Sequence, residues 1–267
     1  MKDLLLNTDR MIVKSENGVG WMIFNQPKKR NAVSFDMWKS IPKIIDYFNS
    51  NSEVRVIVIS GAGNKSFVSG ADISEFEDKR NTKKQVEIYD QATNAANISL
   101  LTSEKPLIAM IKGYCIGGGL AIALSADIRI ASNDSLFAVP AAKLGVGYRY
   151  AGVKQLMELV GPSYTKEIFF TGRKFNSEEA LRMGLVNSVI GIKKIDSYIH
   201  KITDNIVNNA PLTIRSIKSA VNEGIKDPDD RDIMKVNKMV QECFESKDYV
   251  EGRRAFMEKR LPKFQGN

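Results

Sequence analysis

The sequence predicts an α/β fold with parallel strand pairing that ends in an all-helical segment. Short apolar runs alternate with stretches of helical periodicity, one run passes straight into a glycine cluster that opens a helix, and strand signals stop beyond Pro211. In chain order, strands are expected at Met11–Val13, Gly20–Phe24, Val54–Ser60, Leu107–Ile111, Ile128–Ile130 and Leu185–Ile190, each a short run rich in apolar and β-branched residues. Between them Ile41, Ile44, Ile45 and Phe48 form one apolar stripe after a candidate cap at Ser34. Val86, Tyr89, Ala92 and Ala96 form another before Leu101, and residues 195–207 read as a further helix. After Pro211 the apolar positions Ile214, Ile217 and Val221, then Ile233, Val236, Met239, Val240 and Phe244, then Val250 to Arg260 mark helices divided at Pro228 and at Ser246–Asp248. The expected organisation is an α/β core over 1–210 and a helical subdomain over 211–267, without repeats or low-complexity tracts.

With 267 residues, 43% of them hydrophobic and 26% charged, the chain can bury one substantial core. No run approaches the ~18 apolar residues of a membrane span. The first ten residues are too short and too acidic for a signal peptide, so a cytoplasmic location and no membrane partner are expected. Cys115 and Cys243 make neither a disulfide framework nor a metal-ligand spacing; both are read as apolar fillers, and no metal is expected. A net charge of +8 raises the question of a polyanionic partner. Basic residues fall in small groups, Lys28–Arg30, Lys83–Lys84, Lys193–Lys194, Arg253–Arg254 and Lys259–Arg260, with no aromatic-interleaved stripe. That dispersal argues against nucleic acid and leaves a phosphorylated small molecule as the anion to consider.

The stretch Lys105–Gly119 carries the chemistry. Its glycines would let a ligand approach bare backbone N–H groups at a helix start, which suits an oxyanion or a phosphate; a plain strand-to-helix turn is the alternative. A phosphate loop would need lysine and a hydroxyl after the glycines, where the chain has Leu120, Ala121 and Ile122. Together with Asn64–Phe76, which follows the strand Val54–Ser60, this stretch resembles the crotonase (enoyl-CoA hydratase/isomerase) superfamily. The resemblance extends through Asn25–Ala32, Thr171-Gly172, Ala180, Gly184–Val186 and Glu251–Arg260, nearly the whole chain.

The resemblance implies a spiral of β-β-α units with a C-terminal helical trimerisation subdomain, assembled as a homotrimer or a dimer of trimers. It implies an acyl-CoA thioester as substrate and no separate cofactor, the coenzyme A moiety being part of that substrate. The thioester carbonyl would be held by the backbone N–H groups of Ala71 and Gly118. Lys28, Lys29 and Arg30 lie in a phrase like the family's coenzyme A contact region, and Asp72 and Ile73 follow the first donor, Asp72 shaping its loop. Ser74 stands where many relatives carry lysine. Phe256, Lys259 and Phe264 would either serve the coenzyme A site of a neighbouring subunit or, for the two phenylalanines, pack the tail internally.

Family hydratases place two glutamates at positions that are here Ala121 and Ala141, and the second also serves the enoyl isomerases. Each such acid or base contributes ~10²–10⁴-fold, so the standard hydratase machinery is missing while the oxyanion donors remain. Decarboxylation of a malonyl- or methylmalonyl-type thioester needs no base, since departing carbon dioxide leaves its electrons on the α-carbon. Leu144–Tyr148 resembles a phrase of the methylmalonyl-CoA decarboxylases, as does the tail, which points to Tyr148 as proton donor; those enzymes have histidine where this chain has Ala71. A buried tyrosine bonded to backbone is the plainer reading of Tyr148. Lys143, Arg149 and Tyr150 are secondary polar candidates, and His200 lies far from the motifs. Decarboxylation is therefore the leading expectation. A hydratase or isomerase using substituted groups is its rival, and a catalytically depleted acyl-CoA or RNA binder the non-enzymatic one.

Overall fold

The computed structural model describes residues 4–267. Its strands are β1 (Met11–Glu16), β2 (Val19–Phe24), β3 (Val56–Gly61), β4 (Ser66–Val68), β5 (Leu107–Ile111), β6 (Tyr114–Ile116), β7 (Ile128–Ser132), β8 (Leu136–Ala138), β9 (Phe175–Asn176) and β10 (Ser188–Ile190). They form a six-stranded sheet in the order β1-β2-β3-β5-β7-β10 and a four-stranded sheet in the order β4-β6-β8-β9. Three times in succession the chain runs through a strand of the large sheet, steps to a strand of the small sheet and returns through helices, β3 to β4, β5 to β6 and β7 to β8, the third return also adding β9 to the small sheet. Repetition of that step is the expected spiral.

All six expected strands belong to the large sheet. Val56, Ile57, Val58 and Ile59 are all buried, because this sheet is covered on both faces, and a strand covered twice reads as an unbroken apolar run. The last strand is shorter than expected: Leu185 bonds back to the Ala180 carbonyl (2.9 Å) and finishes a helical turn, so pairing with β7 begins only at Ser188. None of the four strands of the small sheet was anticipated. They span two or three residues each, too few for any period to register.

The helices are α1 (Phe35–Ser50), α2 (Phe76–Lys79), α3 (Lys83–Leu101), α4 (Gly118–Leu124), α5 (Ala141–Leu144), α6 (Tyr150–Thr171), α7 (Ser177–Arg182), α8 (Ile195–Val207), α9 (Pro211–Gly224), α10 (Ile233–Glu245) and α11 (Lys247–Met257). Ser34 caps α1 by accepting the Met37 N–H, as its position before the apolar stripe suggests. α1 buries Ile41, Ile44, Ile45 and Phe48 in the main core, where Tyr89, Ala96 and Leu100 of α3 also pack. On the other face of the large sheet, Ile195 and Ile199 of α8 cover Val19, Trp21, Val56, Val58 and Ile130. Beyond residue 211 the described chain is helical until an extended tail, residues 258–267, folds back over α11. The Asp248 carboxylate accepts the N–H groups of Gln265 (2.7 Å) and Gly266 (2.8 Å), and Arg55 donates to the Phe264 carbonyl (2.6 Å). The Phe264 ring thereby lies over Gly252, whereas Phe256, Met257, Met234 and Leu261 are left exposed on these helices and the tail.

Candidate functional site

Ala71 and Gly118, far apart in the chain, meet through backbone pairing. Val33 bridges to the segment around Ala71 in parallel fashion: its N–H donates to the Gly70 carbonyl (2.8 Å) and its carbonyl accepts the Asp72 N–H (2.9 Å). In such a bridge the middle residue turns its own groups the other way. Ala71 therefore directs its N–H away from Val33, and among the described residues that N–H donates to nothing. Gly118 is the first residue of α4, so its N–H is one of those a helix leaves without an internal partner. A Cβ built on Gly118 would stand 3.6 Å from the Ala71 nitrogen, which places the two amides on one small space.

Three adjacent glycines make this approach, each for a different reason. Gly117 has a positive φ of 53°, Gly118 borders the space itself, and a Cβ on Gly119 would come within 2.1 Å of the Val68 carbonyl oxygen of β4. The close approach of α4 to β4 is what brings the two loops together.

The Ala71 loop is held by a charged clamp. The Lys29 ammonium donates to Asp72 Oδ2 and to Ser74 Oγ (2.8 Å each), Gln26 donates to the same carboxylate oxygen (3.4 Å), and the Ser74 hydroxyl (2.6 Å) and N–H (3.3 Å) fill the other. Burial alone would push the Asp72 carboxyl up, but the Lys29 and Ser74 bonds outweigh it and hold the group below its ordinary value. Lys29, expected as a coenzyme A contact, thus has its charge on Asp72. It also reaches the side chain of Ser74.

A depressed carboxyl pKa contributes stability that is complete above the unfolded value, near 3.8, and is lost as pH falls through the lower folded value. The thermal stability of the unsubstituted protein should therefore fall on acidification below about pH 4. Lys29→Met and Asp72→Asn should each flatten that acid limb, and identical limbs in all three proteins would contradict the clamp.

Other expected residues are placed as follows. Lys28 and Ile73 are exposed, and the Arg30 guanidinium lies 4.8 Å from the centre of the Tyr114 ring, which Lys174 also approaches at 5.2 Å. Phe256 and Lys259 are exposed around the end of α11. Tyr148 lies in an exposed stretch, with its ring edge-on to Phe169 (centroids 4.8 Å apart) and against Gly152. It keeps 37% of its surface, yet enough protein surrounds the hydroxyl for burial to push its pKa up. That hydroxyl bonds to no described residue, so the backbone-bonded reading of Tyr148 does not hold. Its neighbour Arg149 is paired with Asp90 of α3. Ala141 is buried at the start of α5 and Ala121 half-buried in the second turn of α4, so methyl groups stand at both positions. His200 faces Trp21 on the α8 side of the large sheet. Among the described residues no three His, Cys, Asp or Glu side chains cluster as metal ligands.

One part of the site went unread in the sequence. Trp38 of α1 brings its ring to 3.3 Å from the point a Gly118 Cβ would occupy, and its indole N–H donates to the Tyr89 hydroxyl (3.1 Å). Tyr89 had been singled out only as one position of an apolar stripe, and nothing in the local pattern distinguishes Trp38 from its buried neighbours.

The family model for enoyl-CoA hydratase/isomerase matches residues 14–267. A short-chain-enoyl-CoA hydratase of Clostridium acetobutylicum is 34% identical over 96% of this chain and 97% of its own length. A crotonyl-CoA hydratase of Syntrophomonas wolfei is 32% identical over 96% and 98%. Among solved structures, an enoyl-CoA hydratase/carnithine racemase from Magnetospirillum magneticum superposes with a TM-score of 0.91 at 30% identity, covering 98% of this chain and 97% of that one. These relatives give no support to the expected likeness to methylmalonyl-CoA decarboxylases. With matched fold, length and sequence, the chain belongs to the enoyl-CoA hydratase/isomerase family, that is, to the crotonase superfamily.

Proposed function

We propose that this chain binds an acyl-CoA thioester and polarises its carbonyl with the Ala71 and Gly118 N–H groups, stabilising the enolate that forms, and that it acts on enoyl-CoA thioesters as a hydro-lyase. The observation that carries the reading is the unpaired Ala71 N–H beside the start of α4, its nitrogen 3.6 Å from the point a Gly118 Cβ would occupy. One donor of this kind lowers a transition state by ~3–4 kcal/mol. The names of the relatives, short-chain-enoyl-CoA and crotonyl-CoA hydratases, favour addition or removal of water. The acid and base come from positions other than 121 and 141, and the unbonded Tyr148 hydroxyl, kept protonated by burial, is the candidate for the acid.

A second reading has its own observation. Alanine methyls at 121 and 141 leave no carboxylate at either position, which suits loss of carbon dioxide from a malonyl-type thioester. The exposed apolar residues of α9 to α11 fit burial between subunits of a trimer, which would bring Phe256 and Lys259 toward a neighbour's coenzyme A site. Purified protein, with its assembled mass fixed by light scattering, is to be incubated with crotonyl-, longer enoyl- and malonyl-type thioesters and the products identified by mass. Water gain on an enoyl thioester, slowed in Tyr148→Phe, is the expected outcome. Carbon dioxide loss with no hydration would replace the first reading by the second. Tight thioester binding without turnover would make the protein a binder.

A further inference from the structure

The space between Ala71 and Gly118 has a third side. Trp38 Cζ2 lies 3.3 Å and Cη2 3.7 Å from the point where a Gly118 Cβ would sit, and that same point is 3.6 Å from the Ala71 nitrogen. The Cα–Cβ direction of a helical residue tilts toward the helix N-terminus, the end at which the Gly118 N–H also faces out. The ring edge of Trp38, the Ala71 amide and the first residue of α4 therefore bound one volume. Neither the other residues of α1 nor those of α3 approach that point as closely.

The indole is not free to turn. Its N–H is held by the Tyr89 hydroxyl at 3.1 Å, and Tyr89 is wedged between Phe35 (ring centroids 5.8 Å apart) and Phe76 (6.0 Å). The Arg80 guanidinium lies over both Phe76 (4.9 Å) and Tyr89 (4.8 Å). Burial pushes the Tyr89 pKa up to about 12, so the oxygen that accepts the indole N–H stays a neutral hydroxyl. Aromatic edges carry partial positive charge, and a C–H group pointed at an oxygen makes a weak attractive contact.

We propose that Trp38 is the third wall of the oxyanion hole, presenting the ring C–H at Cζ2 to the thioester oxygen, and that Tyr89 is the positioning residue that fixes its orientation. This rests on the thioester reading above. Trp38 would also oblige the acyl chain to leave the carbonyl away from α1.

The test uses acetyl-CoA labelled with ¹³C at the carbonyl, whose stretching frequency is read by difference infrared spectroscopy in the bound state, together with steady-state turnover of whichever thioester the protein converts. In the unsubstituted protein, binding should move the stretch to lower frequency than in solution. Trp38→Leu should lose part of that displacement and reduce kcat about 2- to 5-fold with KM little changed. Trp38→Phe, which keeps an aromatic edge, should retain more of both. Tyr89→Phe removes one oxygen and leaves the ring packing, and should mimic Trp38→Leu in part. It carries the test if Trp38→Leu does not fold. A purely structural Trp38–Tyr89 pair would lower the melting temperature and leave the carbonyl frequency of folded variants unchanged, and that result overturns the proposal. Absence of any carbonyl displacement in the unsubstituted protein would instead overturn the thioester reading on which the proposal stands.

Discussion

Gly118→Ala should reduce turnover by on the order of 10²-fold, by displacing the reacting carbonyl, while leaving the fold intact. The added methyl would sit 3.6 Å from the Ala71 nitrogen and 3.3 Å from Trp38 Cζ2. The Ala71 contact is an ordinary one and Trp38 must give by a few tenths of an ångström, so the cost to stability is modest, but the methyl fills the volume proposed for the thioester oxygen. The N–H is still present, and the loss is one of access. Gly118→Pro deletes the donor as well, at the first helical position, where proline's missing N–H breaks no internal bond, and should be no more active. Full turnover in a folded Gly118→Ala protein would falsify the assignment of this space to the reacting carbonyl.

Gly119→Ala, one residue on, should damage the fold. Its Cβ would lie 2.1 Å from the Val68 carbonyl oxygen and 2.8 Å from the Val68 Cβ, both well inside contact distance, and the obstruction is the backbone of β4, which has no rotamer to change. α4 must then move off β4, carrying Gly118 with it. Overpacking of this severity costs about 3 kcal/mol or more, roughly a 10 °C fall in Tm for a chain of this size. Thermal unfolding followed by circular dichroism reads it directly. An unchanged Tm would show that α4 and β4 are not in the contact described. The pair of adjacent substitutions thus separates a glycine required by the ligand from one required by packing.

Legibility of the sequence followed the length over which each signal acts. The inner strands β3 and β5 were readable because burial on both faces makes four or more consecutive residues apolar, as at Val56–Ile59, whereas β1, β7 and β10 offered only short apolar runs. The small sheet was silent: Phe175–Asn176 cannot display a period of two, and its strands are fixed by the neighbours they happen to reach. At the site, the two amides proposed as donors came from the family resemblance that the two glycine-bearing phrases carry, and the structure places Ala71 and Gly118 side by side. Long-range side-chain contacts had no such phrase. The Lys29–Asp72 pair joins residues 43 apart and Trp38–Tyr89 joins residues 51 apart, so neither had a local pattern to betray it. The leaning toward decarboxylation came from Leu144–Tyr148 and the two alanines, and the named relatives favour hydration instead.

The donors assigned to the carbonyl are peptide amides, and a peptide N–H neither ionises nor can be alkylated. Their hold on the thioester oxygen should be constant across the whole range in which the fold persists, indifferent to buffer and to thiol, amine or carboxyl reagents. A pH–rate profile of this protein will consequently report only the groups that move protons, with the polarising groups invisible in it. With the proposed polarising groups in the backbone, the side chains around them can differ without removing either donor, and alanine at 121 and 141 leaves both N–H groups in place.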